Sequence, residues 1–283
     1  VTAIGEVPVH VEYFSGPEGV AKEKARLVEA LDVSGSAILN FDDLAVLDMR
    51  DKTKAKIVTY GFGEGAAVKV SNMETWSDGG MPTGVGFKLN YNESFVPVKL
   101  YGSLGKSQGY AAAAAATAGL VLGMNLVQFS DALAEYDGPK GRLKVLKGIK
   151  NSVIIDDTYN ASPASTHLAI ETVRGVTVQR APLHSRKIAV LGDMLELGKY
   201  TIEAHEAAGN FLKNDFDILV TVGSRAKFIA ESAANQMPAE NIYKFDTSDE
   251  AKSKVKELIK EGDVVLVKGS QGMRMERIVE EIM

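Results

Sequence analysis

The 283-residue sequence contains no cysteine. That excludes a disulfide framework, a thiolate metal site and a cysteine nucleophile, and it suits a reducing cytoplasm. Long apolar runs are also lacking. The greasiest stretch, Ala111 to Met124, is alanine-rich and too short to cross a bilayer, so no membrane partner is expected. Excess positive charge is missing as well: 32 Lys and Arg stand against 37 Asp and Glu, a net charge of -5, which argues against nucleic acid as the main partner. No strand-like run is followed by Gly-x-Gly-x-x-Gly, which sets a dinucleotide fingerprint aside. Val1 is not an initiator methionine, and Val1–Gly5 reads as a short strand rather than a signal peptide, so a fragment of a longer chain is expected. A monomer is expected.

What remains is 45% apolar and 24% charged, the balance of a globular protein long enough for two cores. Helical spacing covers Glu18 to Leu31, with Val20, Leu27 and Leu31 on its apolar side. Ser36–Asn40 and Lys56–Gly61 read as strands, and Asp42 or Asp43 is placed to cap a helix running to about Met49. Ala66 to Tyr101 alternates as a β-meander, with turn chemistry at Asp78-Gly79-Gly80 and Asn92-Glu93. Helices are expected at Gln108–Met124 and Gln128–Tyr136. Asp137-Gly138-Pro139-Lys140-Gly141 then reads as a linker dividing a domain of residues 1–140 from one of residues 141–283. Beyond it, apolar strands near Val153–Asp156, Lys187–Leu191, Ile218–Val222, Ile242–Phe245 and Val264–Val267 alternate with amphipathic helices. Those helices fall near Pro163–Val173, Ile202–Lys213, Arg225–Asn235, Ser248–Lys260 and Met275–Met283, the pattern of an α/β, doubly wound, mostly parallel sheet.

Candidate chemistry collects where these strands end. Ile154-Ile155-Asp156-Asp157-Thr158-Tyr159-Asn160 empties two acids, a tyrosine and an amide at the carboxyl end of a buried strand, with Ser162 and Pro163 opening the next helix. Lys187–Leu191 breaks at Gly192-Asp193-Met194-Leu195-Glu196-Leu197-Gly198, which fits either a cation or amine site or a solvated turn. His205, on the following helix, reads more readily as a surface or capping residue than as a ligand. Val264–Val267 runs into Lys268-Gly269-Ser270-Gln271, an anion site or a plain turn. Three polar strand ends in one sheet converge on one edge. Nearer the start, His10 and Glu12 offer an imidazole and a carboxylate to a divalent cation, but no third ligand is in view. Gly105-Lys106-Ser107 lies where a phosphate loop would end, yet position 100 is Leu where such a loop needs Gly, and a simple helix entrance fits better.

Together these stretches resemble the Mur ligase family. The likeness is carried by His10-Val11-Glu12, Ala21-Lys22-Glu23-Lys24, Leu39-Asn40-Phe41-Asp42-Asp43, Gly141-Arg142-Leu143, Ile155–Pro163, Val190–Gly198 with His205, and Val265–Ser270. It implies a partial central ATPase domain followed by a Rossmann-like carboxy-terminal domain. The activity it implies is an ATP- and Mg2+-dependent amide ligase of peptidoglycan precursor synthesis. Such an enzyme joins a D-Ala-D-Ala-like amine to a UDP-muramoyl-peptide carboxylate through an acyl phosphate.

By the same resemblance His10 and Lys24, the latter carbamylated, would hold Mg2+. Asn40 and Asp43 would face adenine and ribose, and Arg142 and Asp156 would contact the nucleotide. Tyr159, Asn160 and Ser270 would bind substrate, with Asp193, Glu196 and Lys268, beside Lys24, in the catalytic set. Lys268 is thereby expected in a site rather than a core, so that Lys268→Ala would cost turnover more than stability. The family's phosphate loop and a Mg2+-binding Glu are expected upstream of Val1, so the polypeptide alone is expected to be inactive. Ser107-Gln108 and Ala111 replace family amides, and Gln271 replaces a common Arg. Two alternatives stay open: a non-catalytic binding or regulatory module of this fold, and an amide ligase with another substrate.

Overall fold

The computed structural model describes residues 1–8, 10–177 and 185–283, which form two compact units. The first comprises Val1–Thr75, Gly84–Tyr101 and Lys106–Asp137; the second comprises Trp76–Thr83, Gly102–Gly105 and Gly138–Met283.

In the first unit a five-stranded sheet has the order β1 (Ser36–Asn40), β2 (Lys56–Gly61), β3 (Val68–Asp78), β4 (Met81–Tyr91), β5 (Ser94–Tyr101). β1 pairs in parallel with β2 and β2 with β3, while β4 and β5 run antiparallel, so the expected meander extends a parallel edge. The β4–β5 hairpin turns through Asn92 and Glu93, both at positive φ, as the sequence predicts. Helix α1 (Pro17–Glu29) sets Ala25 and Val28 against Ala37 and Leu39 of β1, together with Ile4, Val46 and Met49. Leu27, expected on the apolar side, is 71% exposed, because the buried positions are Val20, Ala25 and Val28 and the stripe runs beside it. Asp43 caps α2 (Leu44–Leu47) by accepting the Val46 N–H. The alanines of α3 (Lys106–Val121) are buried at Ala112, Ala113 and Ala116, and α4 (Leu126–Ala134) follows through an Asn125–Gln128 capping box.

Val1–Gly5 is not a strand. Its backbone is held from the side instead: the Val1 ammonium donates to the Ile38 carbonyl, the Asn40 amide to the Thr2 carbonyl, and the Ile4 and Gly5 N–H groups to Asp43.

The second unit carries a six-stranded sheet in the order β10-β9-β8-β11-β7-β6: β6 (Lys144–Lys147), β7 (Val153–Asp157), β8 (Lys187–Gly192), β9 (Ile218–Val222), β10 (Ile242–Phe245) and β11 (Val264–Lys268). All pairings are parallel except β6 with β7. Strands β7, β9 and β11 are buried along their whole length, which is why they read as unbroken apolar runs. Ile154, Val190, Val220, Val265 and Val267 pack on α8 (Ser248–Leu258) and α9 (Glu276–Ile282), and alternate residues face the other way. Helices α5 (Pro163–Arg174), α6 (Thr201–Leu212) and α7 (Lys227–Ala233) pack against one another in sequence.

Sequence reading missed β6. It is a four-residue edge strand with lysines at both ends, a pattern that protects an edge and erases the alternation signal. Gly102–Leu104 lies along it, with the Val145 N–H donating to the Gly102 carbonyl and the Leu104 N–H to the Leu143 carbonyl. The expected linker is likewise no loose tether at its end, since the Gly138 carbonyl accepts the Lys144 ammonium.

Because the second unit has its own two-faced core, a polypeptide of residues 138–283 should unfold in one cooperative thermal transition. A scan without a transition would show that this sheet cannot stand without the rest of the chain.

Candidate functional site

The carboxyl ends of β7, β8, β9 and β11 gather the second unit's polar residues. At β7, Asp156 is 6% exposed, and its carboxylate accepts the Gly141 N–H (3.1 Å), the Thr158 N–H (3.2 Å) and the Thr158 hydroxyl (2.6 Å). Asp157 accepts the Leu143 N–H at 3.1 Å and the Lys268 ammonium at 2.5 Å. Lys268 and Asp157 are register partners on adjacent strands, and Lys268 also donates to the Asn160 carbonyl at 2.9 Å. Burial pushes the lysine's pKa down while the neighbouring Asp157 charge pulls it back up.

These two carboxylates clamp the segment that leads into the sheet. Gly141 sits at φ +72, and its carbonyl accepts the Tyr159 N–H; a Cβ there would stand 2.8 Å from that nitrogen, so only glycine fits. The exposed Arg142 is thereby held with its guanidinium 4.1 Å from the centre of the half-exposed Tyr159 ring. Ser162 accepts the Ser165 N–H and caps α5 with Pro163 at its first turn, as its sequence implies.

At β8, Asp193 is 3% exposed, and one carboxylate oxygen accepts both the Arg225 N–H (3.0 Å) and the Ala226 N–H (2.7 Å) from the β9 end. Its backbone carbonyl accepts the Ser270 N–H, and the Ser270 hydroxyl accepts the Leu195 N–H at 2.9 Å, tying the ends of β8 and β11 together. Glu196 is half-buried at φ 62. His205 is fully buried, not a surface residue: Nε2 accepts the Met194 N–H at 3.0 Å and Nδ1 donates to the Thr201 carbonyl at 2.6 Å. A backbone donor at Nε2 places the proton on Nδ1, so the ring is held neutral. Burial lowers its pKa, against the Thr201 carbonyl and the Asp193 charge.

The structure thus brings Arg142, Asp156, Tyr159, Asn160, Asp193, Glu196, Lys268 and Ser270 to the ends of neighbouring strands. Asp156, Asp193, Lys268 and Ser270 hydrogen-bond to backbone groups of neighbouring segments, while Arg142 and Tyr159 keep exposed surface and Glu196 is half-buried. Lys268, expected outside the core, is 2% exposed. Sequence reading passed over the β9 end, Gly223-Ser224-Arg225, although it shows the same glycine and polar break as its neighbours.

In the first unit Asn40 donates to the Thr2 carbonyl and accepts the Asp42 N–H, while Asp43 is spent on the Ile4, Gly5 and Val46 N–H groups. Lys24 donates to the Ala3 carbonyl, and the exposed His10 stands at φ 66 before a 3-10 turn. No three His, Cys, Asp or Glu gather among the described residues, so these residues alone do not fit a complete Mg2+ site.

Two outcomes follow for stability. Lys268→Ala strands the Asp157 charge in a buried place and should cost about 3–5 kcal/mol in urea unfolding; a loss within ~0.5 kcal/mol would show the pair to be dispensable. His205 has a folded-state pKa below its unfolded value near 6.5. As pH falls through that unfolded value the unfolded state gains a proton that the fold refuses, so stability is complete above it and declines below. His167, also lowered by burial, acts in the same direction. His205→Gln should therefore reduce, without abolishing, the acid-side decline in urea midpoint between about pH 7 and 5, and an unchanged slope would remove His205 from the account.

Comparison with known proteins places both units. The profile of the Mur ligase middle domain matches residues 2–119, and that of the Mur ligase glutamate ligase domain matches residues 141–271. A UDP-N-acetylmuramoyl-tripeptide–D-alanyl-D-alanine ligase of Bacillus subtilis is 29% identical over 283 residues, covering 100% of this chain and 58% of that protein. The crystal structure of MurF from Acinetobacter baumannii superposes with a TM-score of 0.81 at 27% identity, over 99% of this chain and 58% of that one. MurF ligase from Thermotoga maritima, solved in complex with ADP, gives 0.79 at 26% identity, over 99% and 60%. The chain therefore spans under two thirds of the length of the relatives it matches. It belongs to the Mur ligase family.

Proposed function

We propose that this chain is part of an ATP-dependent amide ligase that joins D-alanyl-D-alanine, or a closely related amine, to the terminal carboxylate of a UDP-muramoyl-tripeptide. The observation that carries this reading is continuous likeness: one chain aligns end to end with proteins named for that reaction, at 29% identity over 283 residues. In this reaction a substrate carboxylate oxygen attacks the γ-phosphorus of ATP and ADP leaves. The amine nitrogen then attacks the acyl carbon and phosphate leaves.

The polar strand ends support parts of that scheme. Arg142, stacked and exposed, is suited to a phosphate oxygen, and Gly141 and Leu143 on either side of it are fixed by the Asp156 and Asp157 carboxylates. Tyr159 and Asn160 belong to the surface that receives the amine substrate, with Glu196 the carboxylate near enough to the surface to take its proton. Asp156, Asp193, Lys268 and Ser270 hold that surface in shape, and in this reading they act through their neighbours. ATP supplies the phosphoryl group. Mg2+ would neutralise phosphate charge, with His10 and a carbamylated Lys24 contributing only part of its ligand set.

A second reading, a binding module without turnover, is favoured by one observation: Asn40, Asp43, Asp156 and Asp193 all spend their side chains on internal hydrogen bonds. The test is ADP release and peptide product, followed by mass spectrometry with ATP, Mg2+, the UDP-muramoyl-tripeptide and D-alanyl-D-alanine. It should be run on this chain and on the chain extended by any residues its gene encodes upstream. Product that requires all components supports the ligase. Saturable ATP binding with no product in either form supports the module.

A further inference from the structure

We propose that His205 is a proton-operated latch: its neutral ring holds the Gly192–Gly198 turn closed, and a second ring proton releases it. The turn follows β8 and carries Glu196, so the latch governs where that carboxylate stands, whatever the strand ends bind. Glu196 and Gly198 sit at φ 62 and φ 52, a conformation that a residue other than glycine keeps only when its surroundings hold it. Two side chains from other elements hold the backbone just before them. Ser270 accepts the Leu195 N–H, and His205, reaching back from α6, accepts the Met194 N–H with Nε2.

The ring is fully buried, and its Nδ1–H is already given to the Thr201 carbonyl, which leaves Nε2 as the place where a further proton can bind. A proton there sets two N–H donors against each other at 3.0 Å, and the bond to Met194 cannot persist. The Ser270 bond contains no group that titrates in this range, so the tie to β11 stays when the latch opens. Burial opposes charge on the ring; Asp193, at the β8 end, favours it, and Arg225, at the β9 end, disfavours it. The charged groups of the surrounding helices are turned outward or engaged elsewhere. Glu203 and Glu206 of α6, Glu171 of α5, and Lys227 and Glu231 of α7 are exposed, and Lys199 stands over the Tyr200 ring. His167 and Arg174 of α5 stack on Phe211, near the far end of α6, and Arg174 pairs there with Asp215.

The test is a titration of this chain, labelled with 15N, from about pH 7.5 to 5, followed by NMR at the His205 ring nitrogens and the backbone amides. Nε2 should pass from a bare to a protonated nitrogen with a midpoint below 6.5. The Met194 and Leu195 amides should move on the same curve while those of β9 and β11 stay still. His205→Gln, whose side-chain carbonyl can take the Met194 N–H but no proton, should leave these amides fixed across the range. His205→Phe, which has no acceptor, should hold them in the released position at every pH. A ring that stays neutral until the whole chain unfolds would overturn the latch, as would Met194 and Leu195 amides that do not follow the ring. Movement near pH 6 that persists in His205→Gln would overturn it too, because another group would then be driving the turn.

Discussion

A carboxylate placed at the buried end of a parallel strand must be given donors, and the second unit is arranged around meeting that demand at Asp157. The strand is covered on both faces, so little of the charge meets bulk water. Lys268 arrives from the adjacent strand at the same register, and the Leu143 N–H arrives from the segment that enters the sheet. An ion pair of this kind gains little over well-packed apolar residues, because desolvation consumes most of the attraction. What it does give is direction. One carboxylate fixes where β7, β11 and the incoming chain stand relative to one another, and an apolar pair of equal volume would leave that unspecified.

The same device recurs at other strand ends. Asp193 takes the first N–H groups after β9, Asp156 takes the N–H of Gly141, and in the first unit Asp42 takes those of Phe62 and Gly63 after β2. Asp42 also accepts the Tyr110 hydroxyl, and the ring of Tyr110 meets Phe62 edge-on at 4.8 Å. Burial first, then the acids at 42 and 43, push the Tyr60 hydroxyl up to about 12, and burial with the Asp42 hydrogen bond raises Tyr110 further. Both tyrosines are therefore neutral phenols, not bases, and Tyr110 donates to Asp42. Side-chain acids here serve as caps for loops in the way N-cap residues serve helices.

This explains how legible the chain was. Buried parallel strands advertise themselves as apolar runs, and β2, β9 and β10 fall at their expected limits. The family likeness followed from the polar corners, because residues that hold one loop geometry recur as motifs. Their roles were harder to read. Asp156, Asp193 and Lys268 have the chemistry of catalytic groups, and a sequence does not say whether a carboxylate faces a ligand or a backbone N–H. His205 was misjudged for the same reason, since the Met194 N–H it accepts belongs to a turn whose shape only the fold defines. The strand at Lys144–Lys147 was hidden by the charges that protect its edge.

At the strand ends the side chains divide into those buried and bonded to the backbone and those that keep exposed surface. A side chain whose donors and acceptors are already satisfied inside the protein gains nothing from a substrate and must break a bond to greet one. Asp156, Asp157, Asp193, Lys268 and Ser270 are in that position, and their worth lies in rigidity. Arg142 and Tyr159 rise from this frame with exposed surface, and each grows from backbone pinned by one of the buried acids or by the glycine between them. Positioning of this kind lowers the entropic cost of ordering an exposed side chain. The buried acids and the exposed groups are thus one construction, in which charges spent on the backbone hold the segments that carry Arg142 and Tyr159 in place.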